Sequence, residues 1–264
     1  MKISVLSSGS KGNSVLISAG STKILIDLGV TKSYIEEKLN ELGVDPNEIN
    51  AILITHTHVD HVQGLKVFLK KYHPKIYVNE IILSLLKEYI GDFDYYLYKE
   101  SEFNIGDIEV NVIKTSHDVK GSVGFILKNK KDSLVYITDT GYINNRYFDK
   151  LNNHNLYIME SNHDIEMLMN GKYPFHLKQR ILSDKGHLSN VDASYYLSKF
   201  IGDKTKTVIL AHLSDDNNTY EKALATLEEA LSKNQKSVDK ILIAEQKKRT
   251  DWIEVWLKLF VLVK

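Results

Sequence analysis

Cysteine is absent from this sequence of 264 residues. Disulfide bonds and thiolate ligands are therefore excluded, and any bound metal must be held by nitrogen and oxygen atoms. The absence suits a reducing compartment, so we expect a cytoplasmic protein. Proline is scarce, at three residues, and a composition of 43% hydrophobic and 26% charged residues is that of an ordinary globular chain.

Net charge is also absent, because 34 basic residues balance 34 acidic ones. No overall field then attracts nucleic acid, and any such binding must come from local patches. Three small basic clusters are available, at residues 128–131, 178–180 and 246–249, although each is equally typical of a solvated face. Charge alone therefore identifies no partner.

Long apolar runs are lacking as well. The N-terminal residues MKISVLSSGS have no apolar core as long as that of a signal peptide, and they predict a first strand. The C-terminal residues WIEVWLKLFVLVK are apolar, but Lys258 interrupts them and they are too short to span a bilayer. We therefore expect no membrane partner. The tail at 256–264 has no assigned role, and it fits either a terminal strand or a frayed, sticky segment.

The most informative stretch is NAILITHTHVDHVQG, at residues 50–64. Residues 51–54 form a short, branched apolar run between polar neighbours, which predicts a buried strand. Residues two apart in an extended segment point the same way, so His56 and His58 can bind one ion from one side.

Two further ligand types, Asp60 and His61, follow where we expect the chain to turn into a helix. The apolar stripe of this helix consists of Val62, Leu65, Phe68 and Leu69. Adjacent residues diverge on a helix, so Asp60 and His61 can face a second ion beside the first. Four ligand-type side chains at a strand-to-helix junction predict a metal site.

Other predicted strands also end in residues that can bind metal. A metal centre needs more ligands than the first motif supplies, so we expect ligands at His117 after a hairpin at 103–113 and at His212 after a strand at 207–211. Asp139 follows a strand at 134–138 and could, on the sequence alone, be only a turn former. Asp27 ends a strand at 23–26, where its hydrogen bonds would hold the ligand loop in place.

Hydrophobic periodicity predicts the remaining elements. The expected strands are 2–6, 15–18, 75–78, 122–127 and 155–160. The expected helices are 31–42, 80–90, 174–184, 191–200 and 214–232, and a closing hairpin is expected from 238–244 and 251–255. Strand-end ligands followed by helices are typical of two sheets packed between helices, with the site at one edge.

The motif His-x-His-x-Asp-His after a buried strand resembles the signature of the metallo-β-lactamase fold hydrolases. The resemblance implies an α+β protein with a four-layer αββα sandwich. It also implies two divalent ions, of zinc or manganese and with iron also compatible, that share a water and lower its pKa. The implied ligands are His56, His58, His117 and Asp139 for one ion, and Asp60, His61, Asp139 and His212 for the other. Asp139 would then bridge the ions, and Asp60 would also orient the attacking water.

Two further segments resemble the tRNA-processing phosphodiesterases of this fold. Residues 160–162, Glu-Ser-Asn, and 186–189, Gly-His-Leu-Ser, correspond to segments in which a histidine is thought to donate a proton to the leaving oxygen and a glutamate holds it. The resemblance implies catalytic roles for His187 and Glu160. The alternatives are a surface histidine in a capped turn and a solvated acid at a strand end.

Four segments, SGSKGNS, ESNHD, YPFHLKQRILSDKGHLSN and LAHLSDDNN, resemble the YycJ/WalJ-like subgroup, and the resemblance runs from Lys2 to about Glu254. It implies a DNA exonuclease of 5′-to-3′ polarity acting on single strands. Substrate contacts are expected at Asn13, Asn162, His163 and His176.

The chain is expected to be one metallo-β-lactamase domain over 1–264. Only 72 residues lie between Asp139 and His212, too few for the inserted domain of the β-CASP nucleases. The rival functions are a small-molecule hydrolase acting on a thioester or lactone, a nuclease that acts on RNA, and a non-catalytic metal protein. The complete ligand set argues against the last of these, and the oligomeric state is left open.

Overall fold

The computed structural model describes residues 1–255. The predicted C-terminal tail at 256–264 lies outside these residues. The described strands are β1 (Lys2–Ser7), β2 (Ser14–Ala19), β3 (Thr22–Ile26), β4 (Ala51–Leu53), β5 (Lys75–Val78), β6 (Tyr95–Leu97), β7 (Glu102–Ile105), β8 (Ile108–Lys114), β9 (Val123–Lys128), β10 (Ser133–Ile137), β11 (Leu156–Glu160), β12 (Thr207–Ala211), β13 (Lys240–Ile243) and β14 (Ile253–Glu254).

Helices cover the two outer faces of the molecule. The described α-helices are α1 (Lys32–Glu41), α2 (Val59–Val62), α3 (Leu65–Leu69), α4 (Glu80–Ile90), α5 (Phe148–Leu151), α6 (Ile165–Asn170), α7 (Phe175–Ile181), α8 (Asn190–Phe200) and α9 (Tyr220–Lys233). None of these helices has the length and apolarity needed to cross a bilayer.

Within residues 1–255 the strands form two mixed sheets of seven strands each. The first sheet has the order β14-β1-β2-β3-β4-β5-β6, and the second has the order β13-β12-β11-β10-β9-β8-β7. Strands β3 to β6 run parallel in the first sheet, as do β10 to β13 in the second. Because parallel strands end at the same edge, the residues that follow them are gathered there.

Alternating side chains of the second sheet build two separate cores. In β10, Leu134 and Tyr136 belong to the cluster shared with the first sheet, whereas Val135 and Ile137 belong to the cluster shared with α8 and α9. This period of two is what a strand buried on both faces requires. The predicted αββα sandwich is therefore confirmed.

The predicted closing hairpin is wrong. β13 pairs with β12 in the second sheet, whereas β14 pairs with β1 in the first. Residues 244–252 cross from one sheet to the other, and on the way Gln246 Nε2 donates hydrogen bonds to Ser7 Oγ and Gly12 O, both at 3.0 Å. Alternating apolar residues predict a strand but do not name its partner.

The predicted helix after the first motif is broken in two at Gly64. A Cβ atom at this position would lie 2.0 Å from Val30 O, and Gly64 N donates to Leu28 O at 3.0 Å. Gly64 passes so close to the loop at Leu28 and Val30 that α2 ends before it and a separate helix, α3, begins after it.

Two other predicted helices have different bounds. α7 ends at Ile181 because the amide of His187 folds back onto Ile181 O at 3.0 Å. α9 begins at Tyr220 with Thr219 as its N-cap, because Asn218 anchors the preceding loop by donating to Ser161 O at 2.9 Å. Hydrogen bonds from outside each helix, one from a backbone amide and one from a side chain, therefore set bounds that periodicity could not.

Candidate metal centre

The seven candidate ligands lie together at the edge where strands of both sheets end. The loop after β4 is joined to the second sheet by the hydrogen bond from Val123 N to Thr55 O, at 3.0 Å. The seven candidates form overlapping groups of close donor atoms at this edge, and they are His56, His58, Asp60, His61, His117, Asp139 and His212.

Three histidines form the first group. His58 Nδ1 lies 3.2 Å from His56 Nε2 and 3.2 Å from His117 Nε2. A single N–H can point at only one neighbour, whereas a metal ion accepts a lone pair from all three nitrogens. Nitrogen ligands 2.0–2.1 Å from a tetrahedral zinc ion are about 3.3 Å apart, so the observed spacing fits such an ion.

The second group combines Asp60, His61 and His212, with Asp139 between the two groups. Asp60 Oδ2 lies 3.6 Å from His61 Nε2 and 3.5 Å from His212 Nε2. Asp139 Oδ2 lies 3.2 Å from His61 Nε2, while its Oδ1 lies 3.8 Å from His117 Nε2. Asp139 therefore touches both groups.

The buried atoms of the second group favour a bound cation. Asp139 Oδ2 and His212 Nε2 are buried without a hydrogen-bond partner among the described residues. Burial alone would lower the pKa of His61, but Asp139 and Asp27 raise it to about 10. The carboxylates attract a cation, and a metal ion would also bind the two buried atoms that have no hydrogen-bond partner. This group therefore fits a metal ion.

In each of the five candidate histidines, one ring nitrogen contacts an oxygen atom of the protein and the other faces the centre. An oxygen partner fixes the proton on the first nitrogen and leaves the lone pair of the second for a metal. The contacts are His56 Nδ1 to Thr55 Oγ1 at 3.0 Å, His61 Nδ1 to Asp27 Oδ2 at 2.7 Å, His117 Nδ1 to Gly186 O at 3.2 Å, His212 Nδ1 to Glu160 Oε1 at 3.0 Å and His58 Nε2 to Asp118 Oδ1 at 3.4 Å.

Asp27 is fully buried beneath this loop and holds it through three hydrogen bonds. Its Oδ1 accepts from Thr55 N at 2.8 Å, and its Oδ2 accepts from Thr55 Oγ1 and His61 Nδ1, both at 2.7 Å. Thr55 in turn contacts His56. One carboxylate therefore orients a histidine of each metal group.

Three residues at strand ends adopt left-handed backbone conformations. The φ angles are 59° at Asp27, 56° at Asp139 and 56° at His212. Such angles are uncommon outside glycine, although aspartate, asparagine and histidine are enriched among the exceptions. This backbone turns Asp139 and His212 off their strands and into the centre, and it turns Asp27 toward Thr55 and His61.

We expect Asp27→Asn to weaken metal binding about ten- to a hundred-fold, the range found when a partner of a metal-bound histidine is removed. Asparagine tolerates the left-handed φ of this position, but it accepts with one oxygen where Asp27 uses two. Competition with a chromophoric chelator measures the affinity, with the exposed Asp203→Asn as the matched control. Unchanged affinity in Asp27→Asn would show that other contacts orient the ligand loop.

A cavity of about 360 Å³ opens over the centre. His58, Asp60, Asp139 and His212 line it together with His187. The His187 side chain is 17% exposed, and its Nδ1 lies 2.7 Å from Glu160 Oε1. His187 Nε2 makes no hydrogen bond to the described residues, so it remains free to contact a substrate in the cavity.

Glu160 is completely buried, which excludes the solvated acid that the sequence left open. Its Oε1 accepts from His187 and His212, and its Oε2 accepts from Thr140 N and Leu188 N, both at 3.1 Å. Burial raises the pKa of Glu160, but His187 and His212 together hold that pKa below its usual range. Burial lowers the pKa of His187, but Glu160 outweighs it and the pKa is raised.

The four predicted substrate contacts have different positions. Asn162 lines the cavity and donates to His212 O at 2.9 Å. Asn13 is buried and donates to Asp60 Oδ2 at 3.3 Å, so it supports a candidate ligand. His163 is 1% exposed, and His176 is exposed on α7 but does not line the cavity. The structure therefore does not bring these two histidines to the cavity.

Sequence reasoning did not identify Thr55, Asp118 or Arg180 as parts of this region. Arg180 Nε donates to Asp118 Oδ2 at 2.6 Å, and Asp118 faces His58. Thr55 and Asp118 are direct neighbours of ligand histidines in the chain, which is a signal that could have found them. Arg180 belongs to the basic cluster at 178–180, but nothing local in the sequence places it beside the metal centre.

The family model of the Metallo-beta-lactamase superfamily matches residues 8–212. The chain is 37% identical over 235 residues to Exodeoxyribonuclease YycJ of Bacillus anthracis, covering 88% of this chain and 89% of that protein. It is 38% identical over 234 residues to Exodeoxyribonuclease WalJ of Streptococcus pneumoniae serotype 2, covering 86% of each. The crystal structure of the metallo-beta-lactamase fold protein YhfI from Bacillus subtilis has the same fold, with a TM-score of 0.72 at 17% identity over 94% of this chain and 98% of that one. The chain therefore belongs to the metallo-beta-lactamase superfamily and is a metal-dependent hydrolase.

Proposed function

We propose that this protein is a phosphodiesterase that removes nucleotides from single-stranded DNA with 5′-to-3′ polarity. The observation that carries the proposal is His187, which is held by the buried Glu160 and lines the same cavity as four of the candidate metal ligands. The two relatives named as exodeoxyribonucleases cover most of the chain and support DNA as the substrate. We further propose that residues 1–264 act as a single domain in the cytoplasm.

We assign two divalent ions to the centre. His56, His58 and His117 would hold the first, Asp60, His61 and His212 would hold the second, and Asp139 would contribute to both. When bound, the two ions supply a hydroxide nucleophile at neutral pH and positive charge beside the phosphate. Nitrogen and oxygen ligands suit zinc or manganese, and iron is compatible.

Asp60 has a second role in this proposal. Its carboxylate is partly exposed to the cavity, and its Oδ2 accepts a hydrogen bond from Asn13 Nδ2 at 3.3 Å. Asp60 can therefore accept a hydrogen bond from the attacking water and orient it toward phosphorus. Asn13 fixes the carboxylate in that orientation.

His187 serves as the general acid. Glu160 accepts a hydrogen bond from Nδ1 and stabilises the charged imidazolium, so Nε2 carries a proton toward the cavity. As the bond from phosphorus to the leaving oxygen breaks, that proton passes from Nε2 to the departing alkoxide. Glu160 remains ionised and keeps the ring in place.

The strongest rival is a small-molecule hydrolase that acts on a thioester or lactone. A thiolate leaves readily without a proton, whereas the alkoxide of a phosphodiester has a high pKa and needs one. A fully buried glutamate that holds a histidine at the cavity is therefore better explained by phosphodiester cleavage than by thioester cleavage. A lactone also releases an alkoxide, so the substrate assay below separates it from a phosphodiester.

The test is to incubate the metal-loaded protein with end-labelled single-stranded DNA and RNA, with and without a 5′ phosphate, alongside a thioester and a lactone. We expect stepwise shortening of DNA from its 5′ end. Asp60→Asn should lower that rate about a hundred-fold, the cost of misplacing a reacting group. Rapid hydrolysis of the thioester or lactone while the DNA stays intact would overturn the proposal. Faster digestion of RNA than of DNA would show that RNA is the substrate.

A further inference from the structure

A second, larger cavity borders the metal centre. Its volume is about 1050 Å³, roughly three times that of the cavity over the centre. Ser116 and His117 line its inner end, and His117 Nε2 is 3.2 Å from His58 Nδ1. His117 therefore belongs both to the metal centre and to the wall of this cavity, so a strand that extends from the centre past His117 would enter it.

The walls of the larger cavity are positively charged. Two acidic side chains, Glu80 and Glu100, face five basic ones, an excess of three positive charges in a chain that has no net charge. The basic residues are Lys99, Lys114, Lys120, Arg146 and Lys150. Such a local excess attracts a polyanion where the whole molecule does not.

Most of these cations are not neutralised. Among the described residues, Lys150 is the member of the group with an ion pair, to Glu102 at 3.5 Å. Two of the basic clusters that the sequence suggested have an engaged arginine, since Arg180 pairs with Asp118 at 2.6 Å and Arg249 pairs with Glu41 at 2.7 Å. In the third cluster Lys128 pairs with Glu109 at 3.5 Å, and among the described residues none of the three clusters adds an unpaired cation to the wall of either cavity. Of the two cavities beside the centre, the larger one therefore carries the unpaired positive charge.

An ordered aromatic ring lies among these cations. The Arg146 guanidinium is 4.7 Å from the centre of the Tyr147 ring, and its Nη2 donates to the Tyr147 hydroxyl at 3.0 Å. The Lys114 amide donates to the same hydroxyl at 3.3 Å. Single strands bind where aromatic rings stack on bases and cations follow the backbone, and this wall offers both.

We propose that the larger cavity binds the single-stranded DNA segment that flanks the scissile phosphate. A base stacks on Tyr147, and the adjoining phosphates contact Lys114, Lys120 and Arg146. This inference rests on the proposed function, because it requires a DNA strand at the metal centre.

The test compares two double variants that each remove two positive charges. Lys114→Ala/Arg146→Ala changes the cavity, and Lys204→Ala/Lys233→Ala changes exposed residues that line neither cavity. Binding of a phosphorothioate single strand, which resists cleavage, is followed by fluorescence anisotropy at several salt concentrations. Loss of two phosphate contacts should reduce the slope of log K against log salt by about 1.4, and the control should keep the parent slope.

Tyr147 is tested separately. Tyr147→Ala should weaken binding about five- to a hundred-fold, as expected for the loss of one stacked base, and Tyr147→Phe should restore most of it. Equal affinities for the alanine and phenylalanine variants would overturn the stacking role.

Cleavage assays separate this inference from the proposed function. The ratio of DNA cleavage to nitrophenyl phosphodiester cleavage should fall at least about ten-fold in Lys114→Ala/Arg146→Ala, given the loss of two charge contacts. If the parent cleaves DNA but both double variants keep its slope and ratio, the cavity is not the binding site. If the parent cleaves no phosphodiester, the proposed function itself fails. Tighter binding of RNA than DNA would overturn the choice of DNA.

Discussion

Replacing His187 with alanine should lower the rate of DNA cleavage about a hundred- to ten-thousand-fold while both ions stay bound. His187 makes its closest contact to Glu160, at 2.7 Å, and it is outside the set of seven assigned ligands. After the change Glu160 still accepts from His212, Thr140 and Leu188, so the centre keeps its support. Single-turnover kinetics and metal analysis of the same preparation measure both quantities.

The leaving group provides the internal control for His187→Ala. The loss should shrink on a nitrophenyl phosphodiester, whose leaving group departs without a proton, and His73→Ala at an exposed site should match the parent. His187 also belongs to a close group with Asp139, Glu160 and His212 that could hold an ion. Loss of a metal ion in His187→Ala would therefore make it a ligand, and an unchanged DNA rate would refute its role as the acid.

Changing Asp139 to alanine should remove or scramble both metal sites and with them all cleavage. Asp139 is 2% exposed and touches histidines of both groups, at 3.2 Å and 3.8 Å. Burial would raise its pKa, but His212 and His61 hold the pKa well below its usual range, so it supplies a negative charge to the site. Metal analysis should find fewer than two ions per chain, and added metal should no longer raise the melting temperature.

Two matched variants keep this test independent of folding. Asp139→Asn has the same shape and tolerates the left-handed backbone of the position, yet it should also lose most metal affinity with the charge. Asp203→Asn, at an exposed turn, should keep both ions. Two tightly held ions in Asp139→Ala would show that this residue does not bridge the sites.

The part of the fold that depends on local pattern could be predicted from the sequence. The branched run before His56 predicted a buried strand, and β12 has the predicted bounds of 207–211. Ligand types at the ends of such strands predicted that both halves of the chain would meet at one edge, because parallel strands end together. The four αββα layers were implied by the resemblance of the His-x-His-x-Asp-His motif to the metallo-β-lactamase fold hydrolases.

Features that depend on spatial neighbours could not be predicted. Nothing in the alternation of β13 or β14 says which sheet it joins, and the break at Gly64 depends on the approach of Val30. Glu160 could be a solvated acid or a buried one until its four hydrogen-bond donors were known. The basic cavity was missed because its members are spread over residues 99–150 and form no cluster in the chain.

Because residues 244–252 cross between the two sheets, the chain needed for folding extends further than the chain that carries the candidate ligands. All seven candidate ligands lie at or before His212, so a fragment ending there would contain the whole chemistry. It would nonetheless lack helix α9, the edge strands β13 and β14, and Gln246, which holds the loop from which Asn13 reaches Asp60. A single protease cut within residues 244–252 would therefore disturb the position of Asp60, although this segment contains no candidate ligand.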